Sequence, residues 1–133
     1  MAYRINKQTE ESFPKAKSKK DRSYVSWLHD LPCVVTGRYG VEAAHVSYAN
    51  PRYGCYGRGK GTKVSDIYAL PLSPEEHRKQ HWSGNEIQYW SDVGENPHSL
   101  AVVLWAIYSQ YGDAGVPFAV SAIMQRINDR GKK

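Results

Sequence analysis

The spacing of apolar residues changes several times along the chain, and each change marks an element. In "SYVSWLHDLPC" the apolar residues Tyr24, Trp27, Leu28 and Leu31 recur at steps of three and four, which predicts one buried helical face. Pro32 ends that helix, because proline disfavours helical geometry in the residue before it. "CVVTGRYGVEAAHVS" predicts a turn over Thr36 to Gly40 and then a short strand from Val41 to Val46. The following "YANPRYGCYGRGKGTKVSD" is interrupted too often by Gly and Pro for regular structure and reads as a long loop. "IYALPL" is a second strand, with Pro71 near its end. "SPEEHRKQH" then opens a helix. Ser73 is its N-cap, Pro74 suits a first position whose N–H has no helical partner, and Glu76 completes an S-x-x-E capping box.

The second half is helical in pattern. "NEIQYWSDV" predicts a short helix, and "NPHSLAVVLWAIYSQY" a longer one with Leu100, Val103, Leu104, Ile107 and Tyr108 on one stripe. "VPFAVSAIMQRIND" predicts the last. Trp82, Trp90 and Trp105 lie in helical stretches with apolar neighbours and are expected in the core, joined by Trp27. No internal repeat is present. Helix, two strands joined by a long loop, then helices is an α+β order. Residues 1–22 read as a basic arm outside the fold, and 23–133 as one domain. Its strands and first following helix span about 41–84, and its helical part spans 85–128.

A chain of 133 residues suits one modest core. Its formal charge of +5 is uneven, with Arg4, Lys7, Lys15, Lys17, Lys19, Lys20 and Arg22 set against Glu10, Glu11 and Asp21 near the N-terminus. Such an arm suits a polyanion, and DNA is the expected partner; a merely solvated terminus is the plainer reading. No apolar run resembles a signal peptide or a membrane span, so a cytoplasmic protein with no membrane partner is expected. In that compartment Cys33 and Cys55 would be thiols and not a disulfide.

Candidate chemistry centres on histidines. His77 and His81 stand at i and i+4, so both imidazoles leave one helix face and can share a divalent ion. Two histidines so spaced on a polar helix are often incidental. Added weight comes from the preceding strands, which deliver His45 near the end of one and Asp66 at the start of the other. Imidazole titrates near neutrality and can take a proton from water, so His45 is the candidate base. Its plainer reading is a histidine packed at a strand end.

Strand, loop, strand and helix bearing "AAHV", "KVSD" and "PLSPEEHRKQH" resemble the ββα-metal finger of the HNH, or His-Me finger, nucleases. The closer pattern "GRGKGTKVSD" followed by "ALPLSPEEH" is similar to phage and prophage proteins related to the RecA-dependent nuclease Ref. The resemblance implies a ββα-metal finger embedded in additional helices. It implies a metal-dependent DNA endonuclease or nickase, phage or mobile-element encoded, linked to recombination and working in a bacterial or phage-infected cell, with a recombinase filament as a further partner. It casts His45 as general base, His77 and His81 as ligands of one divalent cation, Mg²⁺ or Mn²⁺ with Zn²⁺ as an alternative, and Asp66 as a third ligand or the residue orienting His45.

The departures from the family matter too. Where many HNH domains hold a structural zinc with two pairs, this chain has Cys33, Thr36, Ser73 and Glu76, so no structural zinc is expected. The family's usual Asp before the base is Ala44. The rival function is therefore a catalytically weakened DNA-binding recombination-accessory protein on the same scaffold, and a third reading is a purely structural interaction protein.

The long loop carries Arg52, Arg58, Lys60 and Lys63 among Tyr48, Tyr53 and Tyr56, a mixture suited to phosphates and exposed bases. With Lys15, Lys17, Lys19 and Lys20 these are the candidate nucleic-acid contacts. "GCYGRGKG", Gly54 to Gly61, matches a P-loop in outline. Gly61, however, stands where a Mg²⁺-binding Ser or Thr is required, and neither a buried strand nor a helix flanks the motif, so a nucleoside triphosphatase is rejected.

Overall fold

A computed structural model describes residues 21–56 and 64–131 of the chain. It is α+β: α1 (Arg22–Leu28), β1 (Glu42–His45), β2 (Ala69–Leu72), α2 (Pro74–Trp82), α3 (Glu86–Val93), α4 (Pro97–Tyr111) and α5 (Val116–Gly131). Short 3₁₀ turns cover Pro51–Tyr53, Asp66–Tyr68 and Gly112–Gly115. Helix α1 starts inside the expected arm, with Asp21 as its N-cap accepting a bond from the Tyr24 N–H. Helix α5 runs three residues past the expected limit of the helical part, to Gly131.

The strands pair antiparallel, Glu42 opposite Leu72 and His45 opposite Ala69. Each is shorter than its apolar run. The run predicts Ile67 and Tyr68 in the second strand, but they belong to a 3₁₀ turn opened by Ser65, whose side chain accepts from the Ile67 N–H. All four residues of β2 are buried, whereas β1 buries only Ala44. The hairpin is covered by α1, α2 and α4. A two-stranded hairpin is marginal alone, so this cover is what makes it persist. The core joins Tyr24, Trp27 and Leu28 of α1, Leu70 and Leu72 of β2, Leu100 and Leu104 of α4, and Ile123 of α5. Tyr24 sits among Trp27, Trp105 and Tyr108, with ring centroids 4.9 to 5.8 Å apart.

Helix α5 is tied down by charge. Arg126 and Arg130 both bond the almost fully buried Glu95 carboxylate, and Arg130 also donates to the Val34 carbonyl at 2.7 Å. Ser73 caps α2 by accepting from the Glu76 N–H at 3.3 Å. The expected reciprocal half of the capping box is absent: the Glu76 carboxylate instead accepts from the Tyr89 hydroxyl at 2.7 Å and pairs with Lys79. The box is therefore given up for a tie between α2 and α3. Among the described residues, no helix is long and apolar enough to cross a membrane.

Candidate functional site

His45 ends β1, and the strand register sets it opposite Ala69, just after the 3₁₀ turn that begins at Asp66. The imidazole and carboxylate meet there, with His45 Nε2 donating to Asp66 Oδ1 at 2.8 Å. Asp66 Oδ2 accepts from the Asp21 N–H at 2.7 Å. A carboxylate with both oxygens engaged is a fixed acceptor. It holds the His45 proton on Nε2, so that the neutral ring keeps the lone pair of Nδ1 for a proton from elsewhere. The His45 side chain is 39% exposed, enough for water to reach it.

A second pair lies on α2. His77 Nδ1 donates to Glu42 Oε1 at 2.8 Å, which leaves Nε2 of the neutral ring as a lone-pair donor. His81 Nε2 stands 3.2 Å from His77 Nε2, the two rings tilted at 40°. Two nitrogens bound to one tetrahedral ion at about 2.0–2.1 Å would be separated by roughly 3.3 Å. The pair thus has the spacing of a chelate, and Glu42 supplies the outer carboxylate that commonly orients a metal-ligating imidazole. Among the described residues, no group of three His, Cys, Asp or Glu side chains is close enough to hold one ion. Of the three residues expected around a cation, His77 and His81 are together, and Asp66 is with His45.

The two pairs are braced against each other. Gln80, buried in the last turn of α2, donates from Nε2 to Glu86 at 2.8 Å and to the His45 carbonyl at 3.4 Å. Glu86, at the start of α3, also accepts from the Ser47 N–H and hydroxyl. The exit of β1 is therefore clamped to α2 and α3. Sequence reasoning passes over Glu42, Gln80 and Glu86. Strand alternation is the only available signal for Glu42, and it cannot say which residue of α2 lies opposite.

Cys33, Thr36 and Ser73 come together, while the Glu76 side chain is turned to Tyr89 and Lys79. Cys33 Sγ accepts from the Val35 and Thr36 N–H groups at 3.4 and 3.5 Å. Burial alone would push the thiol up, but hydrogen bonds from the Thr36 side chain and from the Ser73, Thr36 and Val35 backbone outweigh it and lower its pKa. Cys33 and Cys55 are both buried, and neither is in a disulfide with a described residue.

Of the expected nucleic-acid contacts, Arg52 lies exposed in the 3₁₀ turn after β1. Arg58, Lys60, Lys63, Lys15, Lys17, Lys19 and Lys20 lie outside the described residues, as does most of the P-loop look-alike. Trp27 and Trp90 are core residues and Trp105 packs against the core, but Trp82 is not part of it: it is 80% exposed. Its neighbours on α2 are polar, and none of the described elements packs over it. His98, which no sequence pattern marks, is fully buried and shares Nε2 with the Tyr48 carbonyl at 2.8 Å. Its pKa is lowered, because burial outweighs the opposing influence of that carbonyl and of Glu86.

The architecture is thus an α+β unit with paired histidine-carboxylate contacts at one hairpin. Residues 1–108 match the family DUF968, described as a protein of unknown function, and the chain belongs to that family. No curated protein and no solved structure matches it.

Proposed function

We propose that this protein is a metal-dependent DNA endonuclease or nickase of the HNH type, its hairpin and α2 acting as a ββα-metal finger. The observation that carries the reading is the division of labour between two fixed imidazole pairs. His45, held by Asp66, has a lone pair free for a proton. His77, held by Glu42, accepts at Nε2 from the Nε2–H of His81 across 3.2 Å, a proton that a bound cation would displace. Hydrolysis of a phosphodiester needs a base for the attacking water and neutralisation of the charge that builds on phosphate and leaving oxygen. His45 suits the first task. A cation at His77 and His81, when bound, would supply the second.

Donor chemistry bears on the ion. Two imidazoles suit Zn²⁺ or another borderline metal better than Mg²⁺, which prefers oxygen ligands. Water and substrate phosphate would complete the coordination. The basic arm and Arg52 fit a DNA partner, and the recombination link follows from the resemblance of the K-x-S-D and P-L-S-P-E-E-H segments.

The expected result is that His77→Ala abolishes Mn²⁺ binding by calorimetry and plasmid nicking together. His45→Ala should abolish nicking and spare binding. Loss of ion binding in His45→Ala would make His45 a ligand and sink the assignment of base. A second reading, a DNA-binding accessory protein without chemistry, is favoured by one observation: Ala44, beside His45, is fully buried and offers no ligand. Tight plasmid binding with no nicking in Mg²⁺, Mn²⁺ or Zn²⁺ would decide for it.

A further inference from the structure

An open cleft of about 560 Å³ lies between α2 and α3, with Trp82, Arg78, Asn85 and Tyr89 in its walls. Trp82 keeps 80% of its surface exposed although it lines this cleft. An indole is a large apolar group to leave in water, and one with no packing duty is commonly a recognition group. Trp82 follows His81 directly, so its side chain projects roughly 100° around the helix from His81 and roughly 140° from His77. Arg78 is one turn earlier, four residues before Trp82 and on the same outward face. It is exposed and makes no ion pair with any described residue. Lys79, by contrast, is engaged by Glu76, and Gln88 by Asp92 at 2.8 Å.

We propose that Trp82 and Arg78 form a stacking platform for an unpaired nucleobase, so that the substrate class is DNA with single-stranded character. The proposal deepens the nuclease reading and rests on it for the identity of the polymer. The cleft also carries Glu75 and Asp92, so its charges nearly balance and it would not gather duplex phosphates by field alone. It suits the flat face of a base, with Arg78 beside it to meet the adjoining phosphate or to lie over the ring. In a duplex each base is already stacked on its neighbours, so only an unpaired one can use the indole. A base bound at Trp82 would belong to a nucleotide next to a phosphate at His77 and His81, since His81 and Trp82 are consecutive on the helix.

The test is binding of the full chain to a short fluorescent oligothymidylate and to a hairpin duplex, both in EDTA. Neither ion nor cleavage is then required, so failure to cut and failure to stack are separate results. Trp82→Ala should weaken single-strand binding about fivefold or more, and Trp82→Phe should keep most of it. Duplex affinity, which is governed by phosphate neutralisation, should change by less than about twofold in both. Oligothymidylate should quench indole emission in the parent protein and lose that quench in Trp82→Ala. Equal weakening on both DNAs, no weakening on either, or no single-strand binding by the parent would overturn the proposal. The second of these outcomes would leave the face to a protein partner.

Discussion

At the scale of single residues, Glu42 has the largest expected effect on the site relative to its visibility in the sequence. It touches no candidate substrate position, yet its carboxylate fixes which nitrogen of His77 carries the proton. Glu42→Gln, with its amide oxygen still an acceptor but its charge gone, should weaken Mn²⁺ or Zn²⁺ binding about 10- to 100-fold while leaving the circular dichroism unchanged. An unaltered affinity would show that the tautomer is set without it. His98 makes a different prediction. Its pKa is lowered in the fold by burial, so the folded state binds this proton less readily than the unfolded chain. Its contribution to stability is therefore complete above the ordinary histidine range and is lost as pH falls through that range toward the folded value, at most about 1.4 kcal/mol per pH unit. Stability in urea should accordingly fall more steeply for the parent than for His98→Gln between about pH 7.5 and 5.5, since the variant has no such proton. Parallel pH profiles would refute this role.

At the scale of elements, α5 is joined to the rest by the buried Ala119 and Ile123 and by one buried acid. Glu95 has a side chain only 4% exposed, and its partners Arg126 and Arg130 both come from α5. Removing a cation there strands part of a buried charge, which costs more than the pair contributes when intact. Arg130→Ala should cost about 2 kcal/mol in urea unfolding, and Arg126→Ala with Arg130→Ala clearly more than either alone. Glu95→Gln in the double variant should restore part of the loss, because the stranded charge goes with it. The same tie explains why α5 contacts the turn after Cys33: Arg130 reaches the Val34 carbonyl, and an added Cβ at Gly37 would meet Met124 and Ile127 at 3.4 to 3.5 Å. Gly37 also has φ +77°, where a side chain would be strained whatever the space.

At the scale of the whole molecule, the described residues from Tyr24 onward form one joined core. Deleting residues 1–20 should leave the far-ultraviolet circular dichroism and the unfolding midpoint nearly unchanged. It removes Arg4, Lys7, Lys15, Lys17, Lys19 and Lys20. Each phosphate that the arm no longer neutralises should lower the slope of log affinity against log salt by about 0.9 on duplex DNA. An unchanged slope would mean that the arm does not meet the DNA. Asp21 should be kept in the truncated chain, because its N–H holds Asp66, and through Asp66 the His45 ring.

The sequence by itself determined the order and kind of the elements. Periodicity near three and a half marked α1 and α4, the Ser73-Pro74 pair marked the start of α2, and Gly and Pro marked the loop. These are local effects, carried by a few neighbouring residues, and so a linear reading reaches them. It also reached the pairing of His77 with His81, since helical geometry fixes i and i+4. Only the tertiary structure decided which carboxylate meets which imidazole. Asp66 goes to His45 and Glu42 to His77 because strand register, a property of two segments more than twenty residues apart, sets those neighbours. It likewise decided that Trp82 stands in solvent while Trp27 and Trp90 are buried. Apolar character predicts burial only where another element arrives to cover the face, and over Trp82 none of the described elements does.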